Sequence, residues 1–280
     1  MTLTFEQLHR YEIVSGESIP TADGALHKAM DTELGRYVAI KQVRLAGNTP
    51  KERAESHKAA LREVRAMVKV GDVTLRTPRI YATWLDEQNG DFFIVMEWLE
   101  GEALSKMGPF CGKKQFLHWM ADLCEILNQM AQEGIYHKDI KPANIMLAER
   151  SRLYLIDFGI SLSLPNNVEG TNFYKAPEMD PDGLTKKRDK VDMFSIGVML
   201  YERFTGELPK RGQHYGGNPF FKSVWSEFLC ASQVAPDVPE NVDEIITRCM
   251  KRDPRQRYAT MAQLRDALRG AAQNYGKSGK

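Results

Sequence analysis

Four short motifs place lysine, aspartate and asparagine side chains at spacings that could build one reaction centre. They are Val38-Ala39-Ile40-Lys41, the run from His137 to Asn144, Asp157-Phe158-Gly159 and Ala176-Pro177-Glu178. Lysine offers a fixed positive charge, and Asp and Asn offer the oxygen ligands that a hard cation requires. Each motif alone recurs by chance. Their order along one chain is a stronger signal than any one of them.

Taken together, the four motifs resemble the signature set of the protein kinases. The resemblance runs from about Tyr11 to about Gly270, and the stretch from Ile135 to Ile145 is similar to bacterial relatives of the eukaryotic kinases. It implies an α+β fold of two lobes, a small β-rich N-lobe with one helix and a larger, mainly helical C-lobe. The implied boundaries are an extension over 1–10, a catalytic domain over 11–270 (N-lobe about 11–97, hinge about 97–101, C-lobe about 102–270) and a disordered tail over 271–280.

The resemblance implies roles for the charged residues in phosphoryl transfer, where positioning and charge neutralisation do most of the work. Lys41 would neutralise the ATP phosphates, with Glu63 as the carboxylate that holds it. Glu52 and Glu55 are rivals for this partnership, but helix capping and the helix dipole already account for them. Asp139 would act as catalytic base and Lys141 would neutralise the transferred phosphate. Asn144 and Asp157 would bind Mg²⁺ through oxygen atoms.

The resemblance also implies an adenine site and a phosphate-binding loop. In the connector, Met96 would be the gatekeeper, and backbone groups of Glu97 and Leu99 would bond the base. The remaining residues assigned to ATP are the apolar walls Leu26, Ala39 and Met146 and the loop positions Ile19 and Gly24.

The glycine-rich loop departs from the family pattern. Ile19 and Thr21 stand at the first two glycine positions, and Pro20 between them has no amide to offer a phosphate. Gly16 would serve instead if the loop were shifted along the chain. We expect weaker phosphate binding, with a larger share carried by Mg²⁺.

A second departure is Lys138, which replaces the arginine usual before the catalytic aspartate. Lysine offers a point charge where arginine would grip a phosphate with two hydrogen bonds. The chain is therefore expected to be active without prior phosphorylation of the segment from Asp157 to Glu178.

Further features of the resemblance favour one subclass. Lys141 two residues after Asp139, with Gly170-Thr171 ahead of Ala176-Pro177-Glu178, is similar to a serine/threonine kinase rather than a tyrosine kinase. Asp192 would brace the catalytic loop, and Arg257 would pair with Glu178. Two alternatives stay open: a pseudokinase that binds ATP without turnover, and a kinase for a small molecule, which would usually lack the Glu178–Arg257 pair.

Apolar patterning predicts the strands that position these residues. Runs rich in β-branched and aromatic side chains predict strands over Tyr37–Val43 and Phe92–Met96. A second pair, Ile145–Leu147 and Leu153–Ile156, would form a hairpin that brings Asn144 and Asp157 to one end.

Three helices follow from capping signals and from three- and four-residue spacing. Thr49, Pro50 and Glu52 form a capping box with proline at the first helical position, which predicts a helix to about Val70 that ends at Gly71. Apolar residues recur from Phe116 to Met130 before Gly134, and again from Asp192 to Phe204, so each stretch predicts a helix.

Composition excludes several classes of protein. The 280 residues carry 38 basic and 37 acidic side chains, which gives no general electrostatic reason to bind nucleic acid. No apolar run approaches the ~20 residues of a membrane span. The four cysteines are scattered without metal-ligand spacing, which favours a reducing cytoplasm. The expected partners are ATP and a protein substrate, with room for a regulatory protein, and the expected cofactor is Mg²⁺.

Overall fold

The structure is a computed structural model that describes residues 10–21, 24–107, 111–148, 152–157, 171–179, 189–209 and 228–276. These residues divide into two compact units. The first contains the chain up to Gly101 together with the segment that begins at Tyr154. The second contains Glu102–Leu153 and the described residues from Thr171 onwards.

The first unit is built on a five-stranded antiparallel sheet in the order β1-β2-β3-β5-β4. The predicted strands over Tyr37–Val43 and Phe92–Met96 are confirmed as β3 and β5. The five strands are β1 (Tyr11–Thr21), β2 (Gly24–Asp31), β3 (Arg36–Arg44), β4 (Ile80–Asp86) and β5 (Asp91–Glu97).

Alternation along β3 separates the two faces of this sheet. Val38 and Ile40 pack on one face against Phe93 and Val95 of β5. Val43 lies on the opposite face, in a cluster with Phe92, Ile94 and two residues of the helix that crosses it, Ala60 and Val64. Lys41 alternates with Ile40 and therefore faces the helix.

That helix, α1 (Pro50–Thr74), begins as the capping box predicts. The Thr49 hydroxyl accepts from the Glu52 amide, and the Glu52 carboxylate accepts from the Thr49 amide at 3.0 Å. The predicted end at Gly71 is wrong, because the helix continues to Thr74. It stops where Leu75 adopts a left-handed conformation (φ 51°) and donates its N–H to the Gly71 carbonyl.

The second unit is mainly helical. A long helix follows the predicted apolar spacing over Phe116–Met130, and Gly134 ends it with a positive φ of 70°. The predicted buried helix over Asp192–Phe204 is also confirmed. The bounds are α2 (Lys113–Gln132), α3 (Val191–Thr205), α4 (Ala231–Val234), α5 (Glu240–Cys249) and α6 (Met261–Asn274).

Three short strands form a second sheet in the order β6-β7-β8. They are β6 (Gly101–Ala103), β7 (Ile145–Ala148) and β8 (Arg152–Leu155). The predicted hairpin strands are therefore confirmed, although β8 ends at Leu155 rather than Ile156. Asn144 directly precedes β7, and Asp157 lies two residues beyond β8.

The predicted disordered tail over 271–280 is wrong for its first part. Helix α6 continues to Asn274, because Ala271 and Ala272 are buried like the earlier core residues Leu264 and Leu268. Tyr275 then meets Phe204 edge to face, with 6.0 Å between ring centroids. Residues 1–9 and 277–280 lie outside the described residues. Among the described residues, none of the helices combines the length and apolar character of a membrane span.

Candidate active site

Lys41 stands between two carboxylates within the first unit. Its Nζ lies 2.5 Å from Oδ1 of Asp157 and 3.7 Å from Oε1 of Glu63. The Lys41 and Glu63 side chains are mostly buried, whereas that of Asp157 is 51% exposed. The arrangement holds the ammonium at a fixed place and leaves one of its carboxylate partners open to solvent.

Local structure explains how the three residues meet. Lys41 points from β3 to the sheet face that α1 covers, and Glu63 lies beside Val64, which packs into that face. Asp157 follows β8 with a positive φ of 62°, a conformation that costs energy for a residue with a side chain. The backbone N–H of Leu155 donates to the Arg76 carbonyl at 2.8 Å and fixes this segment within the unit.

Other residues assigned to ATP share the face that carries Lys41. Leu26 lies opposite Lys41 in the register of β2 and β3, and Ala39 lies opposite Met96 in the register of β3 and β5. Directly opposed residues of an antiparallel pair point to the same face. The sheet therefore brings Leu26, Ala39 and Met96 together beside the Lys41 ammonium.

The loop positions lie in a hairpin formed by β1 and β2. Ile19 pairs with Leu26 and Thr21 with Gly24. Residues 22–23, which connect the two strands, lie outside the described residues. Gly16 lies at a bulge in β1, in the interval where the register shifts between Ile13 and Ser18. Four paired residues, from Ser18 to Thr21, lie between the bulge and the end of β1, which argues against a loop shifted to Gly16.

Gly24 has a packing reason to be glycine. A Cβ at this position would lie 2.1 Å from the Gln42 carbonyl oxygen of β3. No side chain fits at that distance, so β2 could not pair with β3 in this register. This requirement holds whether or not a phosphate binds nearby.

The connector after β5 is braced by contacts that the sequence did not reveal. The Glu97 N–H donates to the Arg79 carbonyl at 2.8 Å. Lys28 of β2 places its ammonium 4.8 Å from the centroid of the Trp98 ring and 3.2 Å from the Glu100 carboxylate. These contacts join residues up to 72 positions apart, so no local pattern signals them.

In the second unit, Asp139, Lys141 and Asn144 form a compact hydrogen-bonded group. Lys141 Nζ lies 2.7 Å from Asp139 Oδ2, and the same oxygen accepts a hydrogen bond from Asn144 Nδ2 at 2.9 Å. Asn144 Nδ2 also donates to the Asp139 carbonyl at 2.8 Å. Oδ2 of Asp139 thus contacts both the Lys141 ammonium and the Asn144 side-chain amide.

Asp192 holds the loop that carries this group. Its carboxylate accepts from the backbone N–H groups of His137 (3.0 Å) and Lys138 (2.8 Å), the brace that the resemblance implies. Lys138 has a positive φ of 67°, which these bonds help to maintain. Burial raises the pKa of Asp192 to about 6, even though the two amide hydrogen bonds act in the opposite direction.

Glu178 and Arg257 form the ion pair that the resemblance implies. Two hydrogen bonds of 2.6 and 2.8 Å join the guanidinium to the carboxylate, and the side chains are 0% and 1% exposed. Arg257 also donates to the carbonyls of Lys251 and Lys190, each at 2.9 Å. The guanidinium therefore joins the Glu178 carboxylate to two backbone carbonyls within the second unit.

Tyr174, two residues before Ala176-Pro177-Glu178, is bonded at both ends. Its hydroxyl donates to Glu202 of α3 at 2.5 Å, and its carbonyl accepts from Ser195 at 2.8 Å. Burial, together with the Glu202 carboxylate, raises the pKa of Tyr174 well above its usual range. The sequence showed Tyr174 only as one of several hydroxyls, because its partner lies 28 residues away. Residues 158–170 lie outside the described residues.

The structure thus brings the predicted site residues together in two groups. In the first unit, Lys41, Glu63 and Asp157 meet beside the apolar residues of the sheet face. In the second unit, Asp139, Lys141 and Asn144 meet on the loop held by Asp192. Met146 lies half-buried on β7, and Leu99 is half-buried in the connector.

The family model for the protein kinase domain matches residues 22–268. The chain belongs to the protein kinase family. It is 31% identical over 266 residues to the serine/threonine-protein kinase PknB of Mycolicibacterium smegmatis. The aligned residues are 87% of this chain and 40% of that kinase. It is 29% identical over 262 residues to the serine/threonine-protein kinase PrkC of Bacillus subtilis. Here the aligned residues are 88% of this chain and 38% of that kinase. The chain therefore spans about two fifths of the length of these kinases.

Proposed function

We propose that the chain is a serine/threonine protein kinase that transfers the γ-phosphate of ATP to a protein hydroxyl. The observation that carries this proposal is the bonding of Asp139 by both Lys141 and Asn144. This arrangement places the Asp139 carboxylate beside the Lys141 ammonium. The carboxylate suits the removal of a proton from a hydroxyl, and the ammonium suits the stabilisation of a developing negative charge next to it. The names of the bacterial relatives support the same activity.

Asp139 would orient the attacking hydroxyl through its second carboxylate oxygen, Oδ1. Its Oδ2 already accepts from Asn144 and lies against Lys141, so Oδ1 is the oxygen left to receive the proton. Lys141 is held 2.7 Å from the same carboxylate, where its charge would neutralise the phosphate during transfer. The brace from Asp192 would keep this geometry constant through the reaction.

The residues proposed for Mg²⁺ have donor atoms that suit it. Because Asn144 Nδ2 donates to two Asp139 oxygens, the amide orientation leaves Oδ1 of Asn144 as a free-standing oxygen ligand. The Asp157 carboxylate is half exposed and offers further oxygens. Bound Mg²⁺ would neutralise phosphate charge, and Asn144 and Asp157 would hold it in place.

Lys41 would bind the ATP phosphates, and Glu63 would keep its ammonium aimed at them. The apolar face formed by Leu26, Ala39 and Met96, with Met146, would contact adenine. The N–H of Glu97 is engaged by Arg79, so the base would bond to the Glu97 carbonyl and to backbone groups of Leu99. Ile19 and Gly24 would lie over the phosphates, where the loop offers fewer amides than a full glycine-rich motif.

Neither alternative has a structural observation in its favour. A pseudokinase would be expected to lack one of the four central residues, whereas Lys41, Asp139, Asn144 and Asp157 are all present and the described contacts hold each of them. A small-molecule kinase would usually lack the buried pair of Glu178 and Arg257. Activity without prior phosphorylation stays a prediction from Lys138.

The proposal is tested by incubating the purified protein with γ-labelled ATP, Mg²⁺ and casein, beside the variant Asp139→Asn. We expect label on serine and threonine of casein, and a rate at least ~100-fold lower for the variant, because Asn cannot accept the hydroxyl proton. Equal melting temperatures would show that the variant is folded. Label only on tyrosine or only on a small molecule, or no label from the wild type, would contradict the proposal.

A further inference from the structure

Lys28 of β2 lies among aromatic and acidic side chains beside the connector that follows β5. Its ammonium is 4.6 Å from the centroid of the Tyr37 ring and 4.8 Å from the centroid of the Trp98 ring. Oε1 of Glu100 lies 3.2 Å from this ammonium, and the same oxygen accepts a hydrogen bond from Trp98 Nε1 at 2.8 Å. We refer to Lys28, Tyr37, Trp98 and Glu100 as the Lys28 cluster.

The cluster holds the Lys28 ammonium more firmly than a surface ion pair would. The Lys28 side chain is 14% exposed, whereas that of Glu100 is 73% exposed. An ion pair with so exposed a carboxylate contributes little by itself. An ammonium within about 6 Å of an aromatic ring is attracted by that ring, and the attraction increases as water is excluded. Two rings and one carboxylate therefore act together on the same ammonium.

The position of the cluster links the sheet to the segment proposed to bond adenine. Lys28 lies opposite Ala39 in the register of β2 and β3, so its side chain leaves the sheet on the face proposed to contact the base. Trp98 and Glu100 stand on either side of Leu99 in the chain. A single side chain of β2 thereby contacts the connector on both sides of Leu99, whose backbone groups are proposed to bond adenine.

The start of this segment has a separate anchor. The Glu97 N–H donates to the Arg79 carbonyl at 2.8 Å, and the Glu97 carboxylate accepts from the Arg79 N–H at 3.2 Å. The backbone from Glu97 to Leu99 is therefore held at its start by Arg79 and at its end by Lys28. Arg79 uses only backbone groups for these two bonds, whereas the second anchor depends on the ammonium of one side chain.

We infer that Lys28 is a positioning residue for the nucleotide base: its ammonium holds the backbone groups of Leu99 where they bond adenine. The inference rests on the proposed function, since it takes ATP as the nucleotide. Groups that are already held in place bind a ligand more tightly, because less conformational freedom is lost on binding. The base end of the site carries a larger share of the affinity in this protein, because Pro20 has no amide to offer a phosphate.

Steady-state kinetics of casein phosphorylation tests this role. The test variant is Lys28→Met, which keeps the apolar stem and removes the ammonium, and Lys28→Arg restores a cation that can stack on both rings. We expect the KM for ATP to rise about fivefold for Lys28→Met and less than ~2-fold for Lys28→Arg. The kcat should stay within ~2-fold of the wild type, because the contact acts on binding rather than on transfer. Lys51→Met, at an exposed lysine of the same unit, is the matched control and should change neither constant.

Inhibition by adenosine shows whether the effect lies at the base. Adenosine carries no phosphate, so its inhibition constant does not respond to the mere loss of a positive charge near the nucleotide. We expect this constant to rise for Lys28→Met by the same factor of about five. Glu100→Gln should raise both constants by a smaller factor. The double variant Lys28→Met/Glu100→Gln should be no weaker in binding than Lys28→Met alone, because the two substitutions remove one shared contact.

Three results would overturn the inference. One is an unchanged KM for ATP in Lys28→Met. Another is a raised KM without a matching rise in the inhibition constant of adenosine, which would give Lys28 an electrostatic role toward the phosphates. The third is a fall in kcat and melting temperature together with the rise in KM, which would reduce the cluster to a structural contact. If the wild type binds ATP but transfers no phosphate, the proposed function fails, and titration calorimetry with ATP and adenosine still measures the effect of Lys28→Met.

Discussion

Two ion pairs of the same chemical kind differ sharply in this protein. Arg257 and Glu178 meet through two short hydrogen bonds, and their side chains are almost fully excluded from solvent. Lys41 lies 3.7 Å from Glu63 and 2.5 Å from Asp157, whose side chain is half exposed. The first pair is closed on itself and on backbone carbonyls. The second group can exchange a carboxylate contact for a ligand.

The difference indicates which group serves stability and which serves chemistry. Two charges taken out of water are tolerated only when each satisfies the other, so removing one leaves a costly uncompensated charge. A lysine with a solvent-exposed partner can rearrange at little cost, because water replaces what it gives up. We therefore expect Arg257 variants to fail mainly in folding and Lys41 variants to fail mainly in phosphate transfer.

The largest effect is expected from Arg257→Ala. The variant leaves the Glu178 carboxylate buried without its partner and removes two bonds to backbone carbonyls, so the free energy of unfolding should fall by about 3–5 kcal/mol. Urea titration followed by circular dichroism measures this change. The double variant Glu178→Met/Arg257→Met, which leaves no buried charge, should recover part of the loss. A fall below 1 kcal/mol for Arg257→Ala would erase the contrast between the two groups.

Asp192 is an intermediate case between the Arg257–Glu178 pair and the Lys41 group. It is as buried as Glu178, but backbone amides rather than a cation hold its carboxylate. Its pKa is raised to about 6 from an ordinary 3.8, so the folded protein binds this proton more tightly than the unfolded chain does. The contribution of Asp192 to stability is then greatest at low pH and is lost as pH rises through about 6. The free energy of unfolding of the wild type, relative to Asp192→Asn, should be about 1 kcal/mol higher at pH 5 than at pH 7.5. A difference that stays constant or changes sign would show that the amide bonds outweigh burial.

A smaller effect is expected from Glu63→Gln. The amide keeps the shape of the side chain but removes the charge that faces Lys41 across 3.7 Å, a contact worth about 1 kcal/mol. The rate of transfer to casein at low ATP should fall about fivefold, with little change in the free energy of unfolding. Glu55→Gln, on the exposed side of the same helix, is the matched control and should change neither quantity. A loss as large as that of Asp139→Asn would give Glu63 a role beyond holding Lys41.

Sequence patterns predicted the parts of the fold that depend on neighbouring residues. The capping box of Thr49 and Glu52 specified where α1 begins, because both of its hydrogen bonds are local. The end of α1 was missed because Leu75, rather than Gly71, adopts the left-handed conformation. The predicted disorder from residue 271 is wrong for the last turn of α6, which continues to Asn274. The spacing of Leu264, Leu268, Ala271 and Ala272 would have extended it.

The candidate site was predicted where family motifs carry it and missed where contacts link distant positions. The order of the motifs led to Lys41, Glu63 and Asp157 and to the pairing of Glu178 with Arg257. The motifs carry no sign of the bond from Tyr174 to Glu202 or of the contact between Lys28 and Trp98. Such contacts depend on how strands and helices pack against each other. No local pattern of residue types in a single sequence indicates that packing.

The most direct test compares phosphate transfer and stability in the same preparations of wild type and Lys41→Met. Methionine keeps the apolar length of the lysine side chain but removes the ammonium that lies between Glu63 and Asp157. We predict at least ~100-fold slower transfer from ATP to casein. The free energy of unfolding should fall by about 1–2 kcal/mol, because Glu63 is buried but lies 3.7 Å from the ammonium and Asp157 is half exposed. Transfer at an undiminished rate, or a loss of stability as large as that of Arg257→Ala, would contradict the account.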